Sequence, residues 1–263
     1  MRTRLGTPQS EAAQLIILAS SKGRLFKPGV ARFFLTAATL AGLSGCSSRP
    51  TLTPPPPIEA VAAPHVKTYA TNFPLREDPI SEDGRWIDGR TAGLDWGHVA
   101  TERGRAVGYA GKARYADSVA LLAGNWGPNQ MVEVVVDKRR VHSWPEVSMR
   151  LRSALSAHRC TGYEVSSSVK GDKAYLIIVR WNGPLADFTY LLNVSGPKYG
   201  ATTGDVLKAT IVGNVITAYK NGVEIGRATD DTIASGQPGF GFNEGTNGDY
   251  GITRFSASSA DSK

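Results

Sequence analysis

Cysteine is scarce in this chain: Cys46 and Cys160 are the only two in 263 residues. An even pair hints at one disulfide, but Cys46 has a different use, given below. That leaves Cys160 as a lone thiol, packed or unreactive rather than catalytic, with His158 as its nearest candidate base. The four histidines, His65, His98, His142 and His158, are scattered, and no His/Cys cluster has zinc-ligand spacing. There is no phosphate-binding P-loop and no dinucleotide fingerprint. Charged residues reach only 20%, whereas glycine and proline number 29 and 15. That balance excludes a helical bundle or a disordered chain and favours a turn-rich globular domain. At 41% hydrophobic, the chain can bury one sizeable core.

The net charge of +7 first suggests a nucleic-acid or membrane binder. Residues 1–45 hold Arg2, Arg4, Lys22, Arg24, Lys27 and Arg32 against the single acid Glu11, so from Cys46 onward the net charge is only +2. The electrostatic case for nucleic acid therefore disappears with the leader. Lys22 to Arg32 is a basic start, and Phe33 to Leu43 is an apolar run too short to span a bilayer. It ends in Leu43-Ser44-Gly45-Cys46, which resembles the bacterial lipobox. The resemblance implies that residues 1–45 are targeting sequence and that Cys46 carries diacylglycerol. The protein would then be exported and held to the cell envelope by acyl chains, each buried CH₂ contributing about 0.8 kcal/mol. Ser47, where an Asp would mark inner-membrane retention, implies outer-membrane sorting in a Gram-negative host. Residues 46–68, with prolines at 50, 54–57 and 64, read as an extended tether.

Residues 69–258 read as β, with 259–263 a short tail. Tyr175, Ile177, Val179 and Trp181 alternate against Leu176, Ile178 and Arg180; Val147, Met149 and Leu151 alternate against Glu146, Ser148, Arg150 and Arg152. Gln130–Val136 and Asp187–Asn193 are also strand-like. Gly213-Asn214 and Asn221-Gly222 are two-residue turn signals separating Asp205–Val212, Val215–Lys220 and Val223–Ile225 into consecutive hairpins. Closely spaced strands without helices indicate a sandwich or barrel.

The run Gly204–Val223, followed by the glycine-rich Gly236–Phe242 and then Gly251–Phe255, resembles the concanavalin A-like lectin/glucanase superfamily, with the hairpin arrangement of laminin-G-like modules. That resemblance implies an all-β jelly-roll sandwich of two antiparallel sheets, its last strand returning beside the first. It implies a glycan or polysaccharide as partner, bound on the outer face of a concave sheet, and admits a structural Ca²⁺. Asp205, Asp230, Asp231 and Asp249 are oxygen donors for such an ion, or solvated turn carboxylates. The ligand-binding candidates are Glu146, Arg150, Arg152, Trp126, Trp144, Arg180, Asn182 and Tyr163. The two arginines of the polar strand face, roughly 7 Å apart along the strand, suit an acidic glycan; the alternative is a solvated face with a cross-strand ion pair to Glu146. Trp126 and Trp144 are the stacking candidates, Trp181 a core residue.

No catalytic residue is assigned. The Glu-x-Asp-x-x-Glu run of glucanases of this fold is missing, leaving only Glu133 and Glu146 on separate strands as a carboxylate pair. A lyase acting on uronate glycans would use Gln130, Arg150, Arg152, His142 and Tyr163. Three readings stand: an envelope lipoprotein with a carbohydrate-recognising domain, a polysaccharide lyase or glycoside hydrolase, and a structural or adhesion module.

Overall fold

A computed structural model describes residues 66–139, 145–171, 173–243 and 248–261. Cys46, His142 and Trp144 lie outside them. Among the described residues there is no α-helix, only one 3₁₀ turn at Pro197–Tyr199, and sixteen strands. In chain order these are β1 (Val66–Thr71), β2 (Arg76–Glu77), β3 (Trp86–Asp88), β4 (His98–Glu102), β5 (Ala106–Tyr109), β6 (Ser118–Leu122), β7 (Asn129–Lys138) and β8 (Glu146–Ser156). There follow β9 (Arg159–Ser168), β10 (Tyr175–Gly183), β11 (Phe188–Ser195), β12 (Val206–Val212), β13 (Val215–Lys220), β14 (Val223–Thr229), β15 (Gln237–Asn243) and β16 (Tyr250–Ala260).

The strands form two antiparallel sheets packed as a jelly-roll sandwich. One has nine strands in the order β14-β13-β12-β7-β16-β5-β4-β2, with β1 also paired to β16; the other has seven, β11-β10-β9-β8-β15-β6-β3. The last strand does lie beside the first, Phe255 to Ala260 pairing with Thr71 to Val66. Strand β1 begins at Val66, inside the segment expected to be tether, and β16 runs two residues past the expected boundary at Ser258.

Both expected hairpin turns form. Val212 pairs with Val215 across Gly213, whose φ is 58°, and Lys220 pairs with Val223 across Asn221 and Gly222, at φ 51° and 81°. Two successive positive φ values define a primed turn, whose twist matches the flanking strands. In the nine-stranded sheet period two is clean: Leu207, Ala209 and Ile211 of β12 and Val132, Val134 and Val136 of β7 are buried, their neighbours partly exposed. Val147, Met149, Leu151, Val165, Leu176, Ile178, Phe240 and Phe242 of the seven-stranded sheet belong to the same core. Each such large side chain contributes about 1.5–3 kcal/mol by leaving water. Trp86 is central, with edge-on contacts to Phe240 at 5.1 Å and Phe255 at 4.9 Å.

The seven-stranded sheet breaks the alternation. From Glu146 to Ser153 every residue of β8 is buried. Its outer face is covered by a second apolar cluster, in which Leu94, Trp96 and Ala116 pack against Cys160, Val179 and Trp181. The expected solvated face of β8 is therefore wrong: its polar side chains are interior groups. The phase of β10 is also corrected. Leu176 and Ile178 face the sandwich core, whereas Val179 and Trp181 belong to the outer cluster, with Ile177 packed against it.

Candidate functional site

The outer cover leaves part of the seven-stranded sheet open. A cleft of about 680 Å³ lies between the loop 110–116 and the strand positions Glu146, Tyr175, Ile177, Tyr190, Asn193, Ser195 and Asn243. Strand register places them together. Tyr175 is opposite Ser195, Ile177 opposite Asn193 and Val179 opposite Tyr190, while Asn243 flanks Glu146 on the other side. Tyr190 is 52% exposed, unlike the other aromatics of this region. Its ring meets Phe188 edge-on at 5.3 Å.

Below the cleft a smaller recess of about 60 Å³ shares Tyr115, Glu146, Ile177, Tyr190 and Asn243 with it and is closed by Asp117, Glu164, Val179, Trp181 and Phe188. Asp117 and Glu164 hold one guanidinium, and Glu146 lines the same recess. Arg150 donates to Asp117 Oδ2 at 2.7 Å and pairs with Glu164 Oε2 at 2.8 Å. Gly241 makes room for it: a Cβ there would stand 2.9 Å from Ser148 Oγ and 3.5 Å from Arg150 Nε. Trp181 Nε1 donates to Glu164 Oε2 at 2.5 Å, and the Tyr175 hydroxyl donates to Glu146.

One shared cation does not balance three buried carboxyls. Burial, then the negative charge of Glu164, pushes Glu146 up to about 7. The same two causes push Asp117 well above the usual carboxylate range, outweighing Arg150. Burial pushes the Cys160 thiol up to about 12, which disfavours its thiolate.

Of the sequence-derived candidates among the described residues, Glu146 alone lines the cleft. Arg150 is fully buried and paired, so it cannot bind an acidic glycan; nor is Glu146 its main partner, that role falling to Asp117 and Glu164. Arg152 sits at a β-bulge with φ 44° and donates to the carbonyls of Pro128, Ile233 and Gly213 at 2.7, 3.0 and 2.6 Å. It staples loops, so the arginine pair of the expected acidic-glycan site does not exist. Trp126 is 9% exposed, part of the sandwich core, and its Nε1 donates to Ala123 O, so it is no stacking platform.

Arg180 pairs with Asp230 and donates to Thr232, while the Tyr163 hydroxyl donates to Asp230 Oδ1 at 2.6 Å. Asn182 is held by Asp187 and Thr189. None of these three lines the cleft. Glu133 pairs across to Lys208 and Ser256 in the nine-stranded sheet, so the pair Glu133 and Glu146 is divided between the two sheets. Of the lyase set, Gln130, Arg152 and Tyr163 come together: the Arg152 backbone N–H donates to Gln130 Oε1, and Ile233 bonds both Arg152 and Tyr163. Tyr163 also bonds Asp230, however, Arg150 lies apart on Asp117 and Glu164, and His142 is outside the described residues. Among the described residues no group of three His, Cys, Asp or Glu is arranged to hold a metal. Asp205 and Asp230 are engaged by Asn221 and by Tyr163.

Sequence reasoning missed Tyr190, Asn193, Tyr175, Asn243, Asp117 and Glu164. The available signal was on β11, read as a strand, where Tyr190 and Asn193 are polar-tipped residues in an otherwise apolar Leu-Leu setting.

No protein-family model matches the sequence, and no curated protein matches it. Solved structures of similar fold include a carbohydrate-binding module from Bacillus subtilis, 15% identical over 70% of this chain and 96% of that one, with a TM-score of 0.48. A protein with a galectin-like fold, also from Bacillus subtilis, is 10% identical over 74% and 96%, with a TM-score of 0.49. A beta-porphyranase from the human gut bacterium Bacteroides plebeius is 9% identical over 77% and 94%, with a TM-score of 0.42.

Proposed function

We propose that this jelly-roll sandwich is a carbohydrate-recognising domain that binds a glycan in the cleft of the seven-stranded sheet. The observation that carries the reading is the half-exposed Tyr190 beside Asn193, Ser195, Tyr175 and Asn243. A sugar ring offers an apolar face that stacks on an aromatic ring, and hydroxyls that bond amides and hydroxyls; the cleft offers both kinds of group side by side. A glycan array on the full-length protein, repeated with Tyr190→Ala, tests it: binding lost on that substitution supports the cleft, and binding unchanged removes it.

One observation favours a second reading, a glycoside hydrolase. Glu146 at the cleft floor is held near neutral pH, as suits a general acid. Its neighbours Asp117 and Glu164 are tied to Arg150, which makes them poor nucleophiles, so recognition is the stronger reading. Product analysis on every glycan that binds separates the two.

The lipobox-like Leu43–Cys46 supports the further reading that the domain is a lipid-anchored envelope protein, sorted to the outer membrane in a Gram-negative host. Cys46→Ala should abolish labelling by a palmitate analogue and release the protein from membranes; labelling that persists defeats the anchor.

A further inference from the structure

The recess under the cleft has a composition that the reading of the cleft does not explain. A glycan made only of hydroxyls needs no excess of buried carboxyl groups. Yet Asp117, Glu146 and Glu164 are 4%, 7% and 2% exposed, and the Arg150 guanidinium pairs with Asp117 and Glu164, leaving Glu146 to the Tyr175 hydroxyl. Four of the other wall residues carry rings. Tyr115 and Trp181 both meet Phe188, at 5.3 and 5.1 Å, and Phe188 meets Tyr190. Aromatic faces attract cations, and here they already face two: the Arg114 guanidinium stands 4.7 Å over Tyr115, and that of Arg150 lies 5.8 Å from Trp181. On the same face of β8, between Glu146 and Arg150, the buried Ser148 Oγ has no hydrogen-bond partner. Polar groups this buried normally have partners.

We propose that the recess receives a primary ammonium group, and that the glycan taken by the cleft therefore contains amino-sugar units whose nitrogen is not acetylated. The inference rests on the glycan-binding reading of the cleft. The entering cation supplies positive charge to three buried carboxyls, of which the one guanidinium pairs with two. It also gives carboxylate oxygens a charge-assisted donor at largely buried positions, where such bonds are strong. The recess, about 60 Å³ in volume and continuous with the cleft through the shared Tyr115, Glu146 and Tyr190, has room for a small polar head group.

Calorimetric titration of the full-length protein with the tetrasaccharide of glucosamine, its fully N-acetylated counterpart and cellotetraose tests this directly. The glucosamine chain should bind about tenfold more tightly than either other ligand, the ratio a single well-placed cation contact gives. Glu146→Gln should remove that preference, while Tyr190→Ala should weaken all three. Equal binding of the three, or tighter binding of the acetylated chain, overturns the proposal on wild-type protein alone, whatever the variant's folding. A preference that survives in a folded Glu146→Gln protein overturns the recess as its source. Tyr190-dependent binding of an acidic glycan with none to glucosamine overturns the ammonium and leaves the cleft as a glycan site; no glycan binding at all defeats both.

Discussion

The two faces of β8 are equally buried from Glu146 to Ser153 and held by opposite physics. On the inner face Val147, Met149 and Leu151 pack into the sandwich core. On the outer face Glu146, Ser148 and Arg150, from the same strand, lie under loops in a layer of carboxyls, hydroxyls and one guanidinium. The inner face is non-directional and tolerant of shape. The outer face depends on each charge having its partner, because a buried charge without compensation is far more costly than an apolar side chain of altered shape. The proposed glycan cleft lies on the costly side, where a polar cavity remains open.

The largest effect should come from removing the one cation. Arg150→Met leaves Asp117 and Glu164 facing each other and should destabilise by about 3–5 kcal/mol in urea unfolding. The adjacent inner-face change Leu151→Met conserves volume and should stay within about 1.5 kcal/mol. Equal costs would mean that charge compensation is not what distinguishes the faces.

The next effect is one of pH. Folding raises the Glu146 carboxyl from an ordinary value of 4.5 to about 7. A group raised on folding stabilises fully below its unfolded value, and that contribution is lost as pH rises through the folded one. Each tenfold difference in proton affinity between the two states is worth about 1.4 kcal/mol. The stability of the wild type relative to Glu146→Gln should therefore fall between pH 4.5 and about 7 and level off above. Asp117 moves the same way, since the Glu146 charge is among those that raise it. Thermal melts of both proteins across that range check it; a flat difference would place Glu146 in a more solvated site.

How far the two faces are legible in the sequence follows from where their determinants lie. The hairpins at Gly213-Asn214 and Asn221-Gly222 are readable because turn chemistry is local. The inner face is readable because period two marks it. The outer face is not, because its partners are remote: Asp117 is 33 residues from Arg150 along the chain. Its cover comes from Leu94, Trp96 and Ala116, in segments with no strong period. Polar residues on a strand read as solvent-facing, which makes Arg150 look like a ligand arginine. The same rule hides the strand β9, whose Ser166 and Ser168, opposite Ser148 and Glu146, are buried on the outer face. Glu146 emerges from the sequence as a site residue for a reason only half right, its place on a polar face.

The hairpin tip lies away from both faces and offers a smaller, local effect. Gly222 has φ 81° and open space around its missing Cβ. Gly222→Val therefore adds only backbone strain, about 1 kcal/mol or more, readable as a lower melting temperature. It should leave the cleft untouched, because β13 and β14 belong to the other sheet.

The smallest stability effect should fall at the cleft itself. Tyr190 is 52% exposed, and its ring meets the edge of Phe188. Tyr190→Ala opens no core cavity and breaks no charge pair, so the melting curve should stay within about 0.5 kcal/mol of wild type. Its effect on glycan binding should be large, at least about tenfold in Kd, since an accessible ring bordering a concave polar surface is the kind of group on which binding energy concentrates. The variant thus reverses Arg150→Met, which should lose stability first and binding only as a consequence. A Tyr190→Ala protein that melts early would show that the ring braces the aromatic wall over Glu164 and Trp181. One that melts normally and still binds glycan would move the site off this sheet.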